Sequence, residues 1–179
     1  MSNDYVKLHF LRLGMQYYVS GRYAVAAQLV PVAGNHFHHA IEMFLKGAMA
    51  DVADETARKN WRHYLVRAWA AFTERYAPVD LTRFDAVVAD LDRFEDIRYP
   101  EPIVKSGLSL TWHFGRKQPA PVIRGPASIK VPELQLAVGD IDDLVREIFI
   151  TASISPKFFP RNAEEEKYLM HQNAEVAFW

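Results

Sequence analysis

No cysteine occurs anywhere in the chain, so disulfides, a thiolate nucleophile and cysteine-ligated zinc or iron–sulfur centres are excluded. Glycine is scarce, at eight residues, and none belongs to a phosphate-cradling Gly-rich loop. No serine sits in a Gly-x-Ser-x-Gly turn, which removes the commonest nucleophile elbow. No apolar run approaches the ~20 residues that a membrane-spanning helix needs. The start, "MSNDYVKLHFLRLG", lacks the charged, apolar and small-residue sequence of a secretory leader, so a cytoplasmic protein is expected. Neither sign of charge prevails: 21 Lys and Arg stand against 22 Asp and Glu, for a net −1. Any nucleic-acid binding would therefore rest on a local patch.

What is present is apolar and helical in period. Half of the 179 residues are hydrophobic, enough for one domain with a proper core, here taken as residues 1–179. The stretch "GNHFHHAIEMFLKGAMAD" places Phe37, Ala40, Ile41, Phe44, Leu45 and Ala48 on one arc of a helix. His36, Met43, Gly47 and Ala50 form a second, small-residue arc. Only His39, Glu42 and Lys46 occupy a polar wedge, with Glu42 and Lys46 in the favourable i, i+4 order. A helix apolar on nearly every side is central to its bundle, and Asn35 is its expected N-cap.

Four further helices are predicted. The first runs from Asp4 to Val30 with Phe10, Leu13, Tyr17 and Ala24 at helical spacing. The third, from about Ala57 to Tyr76, carries Trp61, Leu65, Ala68, Phe72 and Tyr76 and stops at Pro78. Asp80 caps the fourth, with Phe84, Val87, Val88, Leu91 and Phe94 on one face. Asp140 caps the fifth, with Ile141, Leu144, Val145, Ile148, Phe149 and Ala152. The expected fold is mainly all-α, an up-and-down bundle of about five helices.

Between the fourth and fifth helices, residues 100–139 change character. Six of the ten prolines fall from Pro100 to Pro132, which disfavours helix. "LSLTWHF" and "ELQLAV" alternate with period two, with Leu108, Leu110, Trp112 and Phe114 on one face and Leu134, Leu136 and Val138 on the other run's face. Two such runs joined by a Pro/Gly-rich loop predict an inserted β-hairpin. Its basic residues Lys105, Arg116, Lys117, Arg124 and Lys130 outnumber Glu101 and Glu133, a candidate nucleic-acid patch beside Trp112 and His113. The tail, 155–179, holds a short helix signal, the capping box of Asn162 and Glu165.

The order of "HHAIEMFLKGAM", "RHYLVRAWAAF" and "DIRYPE" after a long first helix resembles the HEPN family of prokaryotic helical-bundle domains. Ala40, Glu42, Leu45 and Lys46 match that family's second-helix A-E-x-x-L-K run, one residue looser. His63 and Leu65 match its G-H-x-L element, with Arg62 in place of glycine. Arg98, Tyr99 and Pro100 match an Arg-Tyr-Pro after the fourth helix. The similarity spans about residues 5–102, so the insert and the tail lie outside it.

The resemblance implies a nucleotide-, RNA- or protein-binding module in a toxin–antitoxin or defence setting, acting as a homodimer without a cofactor. Its candidate ligand-binding residues are Glu42, Lys46, Arg98 and Tyr99. The alternative it carries is a metal-independent ribonuclease, whose members use an Arg and a His four to six residues apart near the fourth helix. Arg98 has no such partner, since the next histidine is His113. Arg58 and His63 have the spacing but precede the third helix; as a catalytic pair they would be phosphate stabiliser and general acid/base.

Three further expectations follow from the residues. His36, His38 and His39 with Glu42 could chelate a metal, yet one helix start offers too few convergent ligands, and no Glu-x-x-His set completes a di-iron site, so none is predicted. Glu42, on an almost wholly apolar helix, needs a cation, and Lys46 with Arg98 or His63 should supply it. The second arc of Met43, Gly47 and Ala50 and the apolar end Phe178–Trp179 suggest a dimer surface.

Overall fold

The helical period dominates the fold in a computed structural model, which describes residues 3–61, 63–99, 101, 104, 105, 107, 109–117, 133–159 and 161–179. Two long helices form its spine: α1 (Asn3–Ala26) and α2 (Val30–Ala48). Gln28 between them takes a left-handed backbone (φ 61°), and the Leu29 N–H bonds back to the Ala24 carbonyl at 2.8 Å. The helices run antiparallel at close range. A Cβ at Gly14 would meet the Phe44 ring at 2.7 Å, and one at Gly47 would meet Leu11 at 2.8 Å.

α2 is the central helix, as its composition demands. It touches α1, α4 (Leu65–Arg75), α5 (Asp85–Asp92) and α6 (Val138–Thr151). All six residues of its expected core arc are buried, at 1% exposure or less. Its start differs from expectation. The helix begins at Val30, with Pro31 in the first turn where no N–H is required, and Asn35 lies inside it, donating to the Pro31 carbonyl at 3.2 Å.

The remaining helices keep their places with shifted edges. The predicted third helix divides into α3 (Glu55–Asn60) and α4, because Tyr64 is extended and the Asp92 carboxylate accepts the Leu65 N–H across the fold. Asp80 precedes the N-cap Leu81 of a single 3₁₀ turn, Thr82–Phe84, that leads into α5, and its carboxylate accepts from the Thr82 N–H and hydroxyl. α6 follows its strand without a loop, so Asp140 lies in its first turn and Ala137 is the N-cap. In α1 the buried face is Leu11, Met15, Tyr18 and Val25, while Leu13 is exposed. Apolar residues on several sides of this helix left its phase open.

The insert is β-structured but not a hairpin. β1 (Ser109–His113) and β2 (Glu133–Ala137) pair in parallel, Ser109 opposite Glu133 and His113 opposite Ala137. A parallel pair needs a connection of a dozen or more residues, and residues 114–132 are long enough to provide one. Because α3 and α4 are separate, the strands stand between the fifth and sixth helices. Leu134 and Leu136 are buried; Trp112 is exposed; Leu108 lies outside the described residues. Gly139 presses on the backbone of Gly115, where a Cβ would come within 2.8 Å.

The tail folds onto its own bundle. The capping box forms as expected at the start of α7 (Ala163–Met170), with both Asn162–Glu165 bonds at 2.9 Å. Beyond it, Trp179 stacks on Tyr18 at 5.7 Å and meets Phe149, which Phe178 also contacts. A buried polar lock fastens this tail to the spine. Asp142 accepts from the Tyr18 hydroxyl at 2.5 Å, from the Arg22 guanidinium and from the Ala174 N–H. Arg22 also donates to the carbonyls of Tyr168 and His171.

Candidate functional site

The polar wedge lies in the middle and second half of α2, where the helix faces His63 before α4 and Leu91 near the end of α5. Glu42 is the centre of this wedge, its side chain only 3% exposed. Lys46 Nζ donates to Glu42 Oε1 at 2.6 Å, one helical turn away. The other oxygen, Oε2, lies 3.3 Å from His39 Nδ1 and 3.6 Å from His63 Nδ1. Pairing of Glu42 with Lys46 beside His63 is what the sequence called for. Burial raises the Glu42 carboxyl's pKa, but the bonds from His39 and Lys46 and the Lys46 charge outweigh it and bring it down to about 2.

His38 turns inward. It is wholly buried, and its Nδ1 lies 3.1 Å from the Leu91 carbonyl. A carbonyl only accepts, so Nδ1 carries the proton and Nε2 keeps its lone pair. That Nε2 is buried with no hydrogen-bond partner among the described residues. Burial lowers the His38 pKa, against the Leu91 carbonyl, and burial with neighbouring His39 lowers that of His36. Tyr17 of α1 closes one side, its ring 5.9 Å from His36 and 5.3 Å from His39.

Toward solvent, His63 is 62% exposed and the next residue, Tyr64, is half exposed. The Arg67 guanidinium lies over the Tyr64 ring at 4.4 Å. At the end of α5, Arg98 pairs with Glu95 at 3.3 Å and lies over the exposed ring of Tyr99. Pro100 and Arg62 are outside the described residues. Glu95 Oε2 is buried and unpartnered among them.

The structure therefore brings Glu42, Lys46 and His63 together and leaves other candidates elsewhere. Arg58 donates to the Ala53 carbonyl and lies over the Phe10 ring, while His63 belongs to Glu42. Two of the insert's five basic residues are paired with carboxylates. Arg116 makes a two-bond pair with Asp143 at 2.6 and 2.8 Å and reaches Glu175; Lys117 pairs with Asp90 at 2.9 Å. Lys105 is exposed, and Arg124 and Lys130 lie outside the described residues. A cleft of about 450 Å³ between α5, β2 and α6 is lined by these pairs, together with Arg83 and Arg146. Arg83 is held by Glu147 and Arg146 by Glu175.

Sequence reasoning missed Tyr17, Tyr64, Arg67 and Glu95. Tyr64 and Arg67 could have been found from their i, i+3 spacing beside His63. Tyr17 and Glu95 reach the site only through packing. No protein-family model, curated protein or solved structure matches the chain.

Proposed function

We propose that the chain is a non-catalytic, HEPN-like helical module that binds RNA or a nucleotide at the histidine-lined wedge of α2. One observation carries this reading: a half-exposed Tyr64 with Arg67 over its ring stands next to exposed His63 at the mouth of the wedge. A free aromatic face stacks a base, a guanidinium and imidazoles meet a phosphate, and stacking contributes about 1–3 kcal/mol per base. A net charge of −1 makes such binding local, with few phosphates neutralised and a shallow salt dependence.

Arg58 is engaged by the Ala53 carbonyl and the Phe10 ring and His63 by Glu42, which supports binding over cleavage, since metal-independent RNA cleavage needs both groups on one phosphate. A toxin–antitoxin or defence setting belongs to the resemblance and goes with it. Homodimerisation would need a surface other than the expected one, because α1 covers Gly47 and the bundle takes up Phe178 and Trp179. Purified protein incubated with mixed RNA oligonucleotides in chelator tests the reading. Retention of intact RNA is expected. Cleavage would return the ribonuclease alternative, and no retention would leave a protein partner in its place.

A further inference from the structure

We propose that His38, His39, Glu42 and His63 form a site for one divalent transition-metal ion of the zinc class. Three imidazoles and one carboxylate, with no thiolate, are a donor set for zinc and its borderline neighbours. The distances fit. A tetrahedral ion with bonds of ~2.0–2.1 Å places its ligand atoms ~3.3 Å apart. His39 Nδ1 and His63 Nδ1 stand 3.3 and 3.6 Å from the same oxygen, Glu42 Oε2. His38, His39 and Glu42 each offer a ligand atom within 4.8 Å of the others; His63 stands outside that triad and joins it through Glu42 Oε2.

The second, independent observation is His38 itself. It is wholly buried, the Leu91 carbonyl fixes its proton on Nδ1, and Nε2 is left without a partner among the described residues. A backbone carbonyl behind one ring nitrogen is how a protein orients a histidine to ligate through the other. Glu42 is oriented in the same way, since Lys46 holds Oε1 and leaves Oε2 facing the histidines. Glu95, whose charge reaches His38, adds a nearby negative group to offset the ion.

The sequence argued against a metal because one helix start gives too few converging ligands. The fold supplies the missing one from a second element, His63 at the start of α4. The site goes beyond the binding function proposed above and does not depend on it.

The test is elemental analysis and Co²⁺ absorption on the full chain, tag removed, after dialysis with Zn²⁺ or Co²⁺ and then metal-free buffer. One ion per chain and the intense visible bands of tetrahedral Co²⁺ are expected. His63→Ala, at an exposed position, should keep the circular dichroism of the wild type and weaken Zn²⁺ binding at least ~10-fold. His39→Ala should do the same. Sub-stoichiometric zinc in the wild type, or equal zinc affinity in wild type and His63→Ala, overturns the proposal. Should His39→Ala fail to fold, His63→Ala alone decides.

Discussion

Two buried polar clusters lie at different places along the same spine, and they differ in one respect. In the tail lock, Asp142 has three donors, Arg22 bonds Asp142 and two carbonyls, and Asn173 bonds the Tyr18 hydroxyl and the Leu169 carbonyl. In the histidine cluster, His38 Nε2 and Glu95 Oε2 are buried without partners among the described residues, and His63 opens onto solvent. The side chains of Tyr18, Arg22 and Asp142 are saturated and fix the position of the tail, although Trp179 Nε1 beside them is buried without a partner among the described residues. An unsaturated network carries a cost that a ligand can remove. The first cluster is architecture, and the second is where binding chemistry is available.

The largest expected effect breaks the lock. Asp142→Ala leaves the Arg22 charge buried at 1% exposure without its carboxylate, and should cost about 3–5 kcal/mol in denaturant unfolding. Next comes acid, which should separate the clusters. Glu42 has its folded pKa lowered from 4.5 to about 2, so its contribution is complete above pH 4.5 and is lost as pH falls toward 2. The shift amounts to about 3 kcal/mol, and Glu42→Gln should lack this part of the acid slope. Asp142 has the opposite sign. Burial raises its pKa against the opposing Arg22, Tyr18 and Ala174. Equal acid slopes for wild type and Glu42→Gln would erase the distinction. The smallest effect is at the mouth: the double variant Tyr64→Ala/Arg67→Ala removes exposed groups and should move stability by no more than ~0.5 kcal/mol.

Legibility in the sequence followed the same division. The core arcs of α2 and α6 were readable because the large apolar residues of each fall on one arc, and every residue named for those arcs is buried. The Glu42–Lys46 pair was readable because it lies within one helix turn, and a carboxylate on an apolar helix demands a partner. The lock was not. Tyr18, Arg22 and Asp142 are 120 or more residues apart across the pair, and Arg22 sits on a helix whose buried face the pattern left ambiguous. The parallel pairing of β1 and β2 was missed because period-two alternation states that strands exist and says nothing of their direction. His63 was named for a spacing with Arg58; its place beside Glu42 comes from the break between α3 and α4, which an Asp92 carboxylate stabilises from another helix.

The claim that the unsaturated cluster is the binding site is tested most directly by fluorescence anisotropy of a labelled single-stranded RNA titrated with wild type and Tyr64→Ala/Arg67→Ala at one fixed salt concentration. The account predicts saturable binding by the wild type and at least ~10-fold weaker binding by the variant, the loss of one stacked base, with unfolding midpoints unchanged. Equal affinity for the two proteins, with both folded, would contradict it.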